Sequence, residues 1–587
     1  MSITNKIHFR NVKGDIFGGL TAAVIALPMA LTFGVASGAG ASAGLWGAIL
    51  IGFFAALFGG TPTLISEPTG PMTVVMTSVI ASLTAADSEN GLAMAFTVVM
   101  LAGIFQIIFG FFKLGRYITL MPYTVISGFM SGIGVILIIL QIAPFLGQAS
   151  PPGGVIGTVQ NLGTLIANTK LGETFSQVFS TGSLAPLLDN TYLIQTFLAL
   201  LTIAILFLCP RKLKKLLPPQ LIALIVGTLI AVFFLGDVDI RRIGEISVSF
   251  PPEPQLPTFR ADQLQLMLVD ALVLGMLGSI DALLTSLVAD SLTRTEHNSD
   301  KELVGQGIGN LVSGLFGGIA GAGATMGTVV NIQAGGRTAL SGLTRALILL
   351  VVVLGLSQYL SVIPLAVLAG IAFKVGINIV DWGFLKRAHK ISPKAAAIMY
   401  GVIALTVFVD LMVAVGVGVF IANILTIERL SNHRADKVKA VTYDDEEIDL
   451  NPEEKQLLEQ ANGRVLLFYL SGPMIFGVAK AISREHNLIN DYQALVLDLS
   501  EVPILGVTSA LAIENAIEEA VENGRQVFLV GLKGQAEKRL KKLGVMDRVP
   551  PQNILSDRTE ALRRAVAYVD THIGDFERDT INPQTIG

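Results

Sequence analysis

The chain has 587 residues, 52% of them hydrophobic and only 15% charged, with a mean hydropathy of +0.65. Soluble domains average about 25% charged residues, so the composition excludes a soluble enzyme or binding module and indicates a polytopic membrane protein. The formal net charge of −4 says little as a sum, because Lys and Arg gather in short connections between apolar segments while acidic residues gather after Asp444. The single cysteine, Cys209, excludes an intramolecular disulfide, and its place at the end of an apolar segment reads as structural.

A spanning helix needs about 20 predominantly apolar residues. In chain order such segments are expected at 16–36, 42–59, 69–84, 91–112, 119–145, 192–209, 218–236, 264–290, 301–317, 325–333, 340–357, 363–379, 395–411 and 413–428, about fourteen in all. The basic residues Lys6, Arg10 and Lys13 lead directly into the first segment, which holds Pro28 and lacks a small-residue cleavage site, so this helix is expected to stay in place. Further basic stretches lie at Lys113–Arg116, Arg211–Lys215, Arg294–Lys301, Arg337–Arg345 and Lys386–Lys394. All fall on one side of the membrane if every segment crosses or half-crosses. The connections Thr84–Asn90, Ser150–Asn190 and Asp237–Asp262 on the other side are poor in Lys and Arg, apart from Lys170, Arg241, Arg242 and Arg260. The bias places both termini in the cytoplasm.

Two segments differ from the rest. Ser66–Met76 (SEPTGPMTVVM) and Gly321–Asn331 (GAGATMGTVVN) are too short, and too rich in Gly, Pro and Thr, to cross as ordinary helices. They align with one another through Thr73-Val74-Val75 and Thr328-Val329-Val330. A second match joins Tyr117–Gly128 (YITLMPYTVISG) to Tyr359–Gly370 (YLSVIPLAVLAG) at an offset of 359 − 117 = 242, which also carries Gly134 onto Gly376. Each matched pair lies seven segments apart. An odd separation makes the repeat inverted, the arrangement of many secondary transporters, in which paired broken segments mark the midplane site.

After Arg429 the composition changes. Residues 431–462 read as a polar linker with a helix near Pro452–Gln460. Strands at Val465–Leu470, Ala494–Leu499 and Val527–Val530 then alternate with helices at Ile475–Glu485, Thr508–Asn523, Gln535–Leu543 and Arg558–His572. Such alternation implies a small α/β domain, expected over 463–575 and followed by a polar tail at 576–587. The membrane part is expected over 1–430, with repeats near 10–240 and 260–430.

The chemistry concentrates on Asp281, within the apolar stretch Leu264–Val288. A carboxylate at mid-bilayer costs about 2.5–3.5 kcal/mol on insertion scales and is kept where it meets a partner or a water-filled cavity. Asp281 and Thr285 are one helical turn apart and share a face. A carboxylate with a hydroxyl suits a small hard cation such as Na⁺, which a bound anion can accompany. No His lies within any apolar segment, which argues against a His proton relay. The breaks supply the anion chemistry: helices starting at Thr69-Gly70 and at Ala324-Thr325-Met326 would aim unpaired N–H groups and positive dipole ends at one another across the midplane. Pro68 and Pro71 fit a helix start, and Glu67 reads as a structural or gating acid. No nucleophile–base pair, metal cluster or phosphate loop is recognisable, so neither an enzyme nor a nucleic-acid binder is expected and no cofactor is called for beyond sodium as coupling ion.

SEPTGPM, GSIDALLTSLVAD with its following loop HNSDKELVGQGIGN, GAGATMGTVV and the C-terminal α/β domain occur in the order seen in the sulfate permease (SulP) family of anion transporters, which the chain resembles over nearly its whole length. Within that family it is most similar to the sodium-dependent bicarbonate transporters of cyanobacterial plasma membranes. The resemblance implies an α-helical fold of two inverted seven-segment repeats, divided into a moving core and a gate, with a cytosolic STAS domain and a homodimer. It implies bicarbonate at Thr69, Gly70, Ala324, Thr325 and Met326. Many animal members carry an Arg in the second break, where this chain has Met326 and Gly327 and where Arg337 and Arg345 are expected in the loop beyond. A Na⁺ held by Asp281, Thr285, Thr325 and Gly327 would then supply the missing positive charge. In STAS relatives an Asp precedes a phosphorylated Ser or Thr, whereas here Gly506-Val507 precede Thr508, which reads instead as a helix N-cap. The expected activity is sodium-coupled bicarbonate uptake. The alternatives are transport or exchange of sulfate or another small anion, a passive anion channel, and a nucleobase permease of similar fold.

Overall fold

A computed structural model describes residues 4–5, 9–115, 122–151, 154–181, 186, 189–210, 213, 217–236, 238–244, 252–409, 411–435, 438–443, 448–475, 478–487 and 491–571. The chain divides into two compact units, 1–420 and 421–587.

The first unit is built from α1 (Val12–Ala36), α2 (Ala41–Phe58), the short strand β1 (Ser66–Glu67), α3 (Gly70–Ala86), α4 (Gly91–Phe111), α5 (Tyr123–Leu140), α6 (Thr191–Leu208) and α7 (Pro219–Phe233). The second repeat follows as α8 (Leu264–Thr293), α9 (Ser299–Leu315), the strand β2 (Ala322–Gly323), α10 (Thr325–Gln333), α11 (Ala339–Leu360), α12 (Leu365–Ile379), α13 (Pro393–Phe408) and α14 (Leu411–Ala435), the last of which runs past the boundary at 420. These match the expected segments one for one, and seven of the described helices are long and apolar enough to cross a membrane alone. Short helices at Gly154–Gln160, Leu162–Asn168 and Leu171–Thr181 occupy the long connection between α5 and α6. Residues 116–121 lie outside the described part, so the match of Tyr117–Gly128 to Tyr359–Gly370 is traced only from Pro122, where Pro122 and Pro364 are the N-caps of α5 and α12.

Helices in a bilayer gain nothing from hiding apolar surface from lipid, so they associate through small residues that let backbones approach. The pair α4–α9 shows it: a Cβ on Gly103 would stand 2.5 Å from the Gly307 carbonyl oxygen, and one on Gly307 2.5 Å from that of Gly103. Helices α1–α4 pack with α8–α11, and α5–α7 with α12 and α13. This division is the core and gate that the resemblance implied.

The repeat relation is visible as contact between equivalents. Gly134 and Gly376, matched at the offset of 242, face each other: their Cβ positions would lie 2.7 and 2.9 Å from the other's carbonyl oxygen. β1 and β2 pair antiparallel, Ser66 with Gly323 and Glu67 with Ala322. At the offset of the broken segments (328 − 73 = 255) Glu67 is itself equivalent to Ala322 (67 + 255 = 322). Mutual contact between equivalents is what a two-fold relation requires, so the pseudo-axis passes between these strands.

The second unit holds a five-stranded sheet ordered β3 (Val438–Val441), β4 (Val465–Ser471), β5 (Ala494–Glu501), β6 (Gln526–Val530) and β7 (Ile554–Leu555), parallel except for β3. Its helices are α15 (Pro452–Ala461), α16 (Val478–Asn487), α17 (Val507–Glu522), α18 (Gly534–Lys542) and α19 (Arg558–Thr571). Apolar clusters fill both faces of the sheet, with Ile482, Ile513 and Leu540 on one and Leu458, Leu562 and Val566 on the other, the requirement of a parallel sheet. Two expectations change. β3 builds on the stretch 431–462 read as linker, whose expected helix near Pro452–Gln460 is α15, and α17 begins at Val507 with Gly506 as its N-cap. Thr508 is therefore a first-turn residue rather than the cap. The tail 576–587 lies outside the described residues.

Candidate functional site: two half-helices around a buried carboxylate

The two short strands set the site. Antiparallel pairing satisfies the backbone of the broken segments at the level where helix is interrupted, as burial within a membrane protein demands. The chain leaves β1 through Pro68 and Thr69 into α3, and leaves β2 through Ala324 into α10. Neither N-terminus is closed by a side-chain cap, so first-turn N–H groups, among them those of Gly70, Thr325 and Met326, have no intrahelical acceptor. Each helix end carries roughly half a positive charge.

Polar residues of α9 hold the strands in place. Gln306 Nε2 donates to Ser66 Oγ (2.6 Å) and to Glu302 Oε1 (2.9 Å). Asn310 donates to the Gly321 carbonyl (3.0 Å) and accepts from the Gly321 N–H (2.9 Å). Glu302 Oε2 accepts from the Gly60 and Thr61 N–H groups, both at 2.8 Å. The stretch HNSDKELVGQGIGN is thus the start of α9, capped by Asn298 and supplying the side chains that brace the breaks.

Asp281 lies on α8 and is 8% exposed. The Thr69 hydroxyl donates to its Oδ2 at 2.8 Å, so the residue that opens α3 spends its side chain on the carboxylate instead of on its own helix. No Lys, Arg or His pairs with Asp281 among the described residues. One turn on, the Thr285 hydroxyl donates to the Gly323 carbonyl (2.9 Å) and lies 2.9 Å from that of Thr325. Asp281, Thr69, Gly323, Ala324, Thr325 and Met326 all line one cavity of about 530 Å³, closed by Ile25, Met29 and Phe33 of α1 and by Val375, Asn378 and Ile379 on the α12 side. Glu67, Pro68, Gly70 and Pro71 line it too. Gly327 is placed differently: a Cβ there would meet Ile65 at 3.1 Å and Glu67 Oε1 at 3.5 Å, so it packs against β1.

Arg345 is the principal departure from the sequence reading. It belongs not to the loop beyond the second break but to α11, wholly buried. It donates to the Ala48 carbonyl (3.1 Å) and the Ser66 carbonyl (2.9 Å), and forms an ion pair with Glu67 Oε2. The available signal was its position inside the apolar stretch 340–357. Lys374 on α12 went unnoticed for the same reason. Its Nζ donates to Asn378 Oδ1 at 2.8 Å and lies 3.9 Å from the centre of the Phe207 ring.

Residues 12–402 match the sulfate permease family and residues 457–561 the STAS domain. The bicarbonate transporter BicA of Picosynechococcus sp. is 67% identical over 579 residues, covering 98% of each chain, and that of Synechocystis sp. is 65% identical over 585 residues, covering both completely. Bacillus subtilis YvdB, described as a putative sulfate transporter, is 28% identical over 94% of this chain and 98% of its own. Among solved structures, the transmembrane domain of a cyanobacterial BicA superposes with a TM-score of 0.64 at 68% identity, over 70% of this chain and 100% of that one. Murine solute carrier 26 family member A9 shares the fold at 19% identity, with a TM-score of 0.78 over 96% of this chain and 92% of its own. Broken half-helices, strand-paired repeats and the appended α/β domain agree with these matches: the chain belongs to the sulfate permease family and is a membrane transport protein, not an enzyme.

Proposed function

We propose that the protein imports bicarbonate together with sodium across the plasma membrane by alternating access. The carrying observation is the Asp281 carboxylate, buried without a cationic side chain and held by the residue that begins an anion-facing helix. An uncompensated buried carboxylate is costly, and a bound cation offsets that cost. The Asp281 carboxylate with the Thr285 and Thr325 hydroxyls offers oxygen ligands to Na⁺. The N-termini of α3 and α10 offer N–H donors and positive dipole to a small anion at the same cavity. Sodium raises anion affinity by its charge, and by linkage the anion raises sodium affinity by the same factor. Two relatives at 65–67% identity described as bicarbonate transporters support this anion as the cargo.

In this reading the core, α1–α4 with α8–α11, carries the site past the gate. Both termini lie in the cytoplasm and the STAS domains contribute to a homodimer. A one-to-one step is electroneutral, so the sodium gradient drives it and the membrane potential does no work on it. The test is radiolabelled bicarbonate uptake by purified protein in liposomes, with and without an inward sodium gradient. Saturable uptake only with sodium, abolished in Asp281→Asn, is expected. Uptake indifferent to sodium would mean a channel or an exchanger, and sulfate uptake in its place would overturn the cargo.

A further inference from the structure

A second cavity, of about 790 Å³, adjoins the first and shares Ile25, Gln220, Met326, Val330 and Asn378 with it. Its wall is formed by the end of α6 (Phe207), the start of α7 and the last turn of α10. Among the described residues that line it, Lys374 is the one that carries a charge, and no carboxylate does. An ammonium on an apolar helix of a membrane protein, here the 15-residue α12, is expensive and is retained where it faces a water-filled path. Lys374 does not merely reach along the helix to a headgroup: it is held against this wall by the Phe207 ring and by Asn378 Oδ1. Asn378 spends its carbonyl oxygen on the lysine, so its amide N–H groups remain as donors at the junction of the two cavities.

We propose that Lys374 and Asn378 form a second, shallower station for a small inorganic anion, lying between the midplane cradle and the cytosol. This rests on the cargo and orientation proposed above. A single ammonium in a cleft with low-dielectric walls concentrates anions. An anion released from the N-termini of α3 and α10 passes to it rather than crossing bare apolar wall, and cytosolic anion that fills it opposes release. The station therefore makes uptake sensitive to its own product.

The test uses the full chain with Cys209→Ala and Asn378→Cys. The thiol introduced by Asn378→Cys is titrated with an anionic and a cationic methanethiosulfonate reagent of similar size at low ionic strength. The anionic reagent is expected to react faster, and adding Lys374→Gln to lower the anionic-to-cationic rate ratio by about tenfold. That is the change Coulomb's law gives for unit charges of either sign about 6 Å from one fixed charge in water. Lys374→Arg keeps the ratio. Separately, with the native Asn378, Lys374→Gln is expected to raise the inhibition constant of internal bicarbonate more than it raises the external KM. A reagent ratio that ignores Lys374→Gln overturns the station whatever the uptake assay shows. A wild type that fails to import bicarbonate, while the Asn378→Cys chain still shows the ratio and its loss on adding Lys374→Gln, would remove the cargo assignment and leave the anion station standing.

Discussion

The pair Glu67–Arg345 sits beside the pseudo-axis and carries the sharpest energetic prediction. Glu67 lines the anion cavity and is 5% exposed; Arg345 stands behind β1, fully buried, tied to Glu67 and to the Ala48 and Ser66 carbonyls. Arg345→Met leaves a largely buried carboxylate with no counter-charge and removes the donors to both carbonyls. Removing one partner of a buried ion pair costs about 3–5 kcal/mol. Glu67→Gln strands the guanidinium, although its bonds to the two carbonyls remain, so the lower part of that range is expected. The double substitution Glu67→Gln with Arg345→Met removes both charges together with their desolvation. It is expected to be less destabilised than Arg345→Met alone, with a coupling of about 2–3 kcal/mol, near the upper end for residues in contact. Melting of the purified full chain in detergent, followed by loss of the monodisperse peak, reads the four corners of the cycle. Additive losses would refute the argument, because they would mean that the two side chains do not act as one neutral unit.

Other consequences follow from single contacts. On the proposed function, sodium is expected to raise the melting temperature of the wild type by mass action, and Asp281→Asn to abolish that rise while melting cooperatively; a sodium-dependent shift that survives would remove Asp281 from the cation site. Gly134→Ala and Gly376→Ala each place a methyl under 3.0 Å from a facing carbonyl oxygen and are expected to cost about 1–3 kcal/mol and most of the transport. Gly355→Ala, on α11 with open space around it, is expected to be harmless, and equal losses at all three would refute the close crossing. At the end of α3, hydrogen bonds from the Asn90 backbone and side chain, then from Arg260, hold the Asp87 carboxyl at about 2, below its ordinary 3.8. A depressed folded-state value stabilises above the unfolded value and is lost as pH falls through the folded one. The melting difference between wild type and Asp87→Asn should therefore shrink between about pH 4 and pH 2, and a constant difference would exclude that linkage.

The membrane fold was legible because a bilayer forces each crossing to satisfy its backbone within one continuous apolar stretch, and the breaks were legible because Gly and Pro interrupt that stretch. What could not be read is which side chains meet across segments far apart in the chain. Asp281 stood out as an isolated acid, but its bond to Thr69 joins positions 212 residues apart. Arg345 was misplaced because it follows the basic stretch that begins at Arg337 and read as loop, and Lys374 was passed over inside the apolar segment 363–379. Their partners, Glu67 and Phe207, are connected to them by no local pattern. The edge strand β3, four residues long, carried too little alternation to separate it from a linker. Thr508 resembled a cap by residue type, yet the backbone of Gly506, in an extended conformation (φ −69°, ψ 162°), starts α17 two residues earlier.

In the proposed function the pseudo-axis separates the two ligands by symmetry. Both repeats contribute a half-helix to the anion cradle, and their strands meet at the equivalent residues Glu67 and Ala322, so the cradle is shared between them. The cation chemistry comes from one repeat alone. Helix α8 brings Asp281 and Thr285, whereas its counterpart α1 presents Ile25, Met29 and Phe33 to the same cavity. In the proposed function sodium therefore sits off the axis and meets the anion's surroundings through Thr69 and Thr325, one residue from each break. Such an arrangement lets the coupling ion be lost or replaced without dismantling the cradle, since α3 and α10 are braced independently by Gln306 and Asn310. It also implies a direction for engineering: substitutions at Asp281 and Thr285 should change the sodium requirement, whereas substitutions at Gln306 and Asn310 should weaken anion binding and folding together.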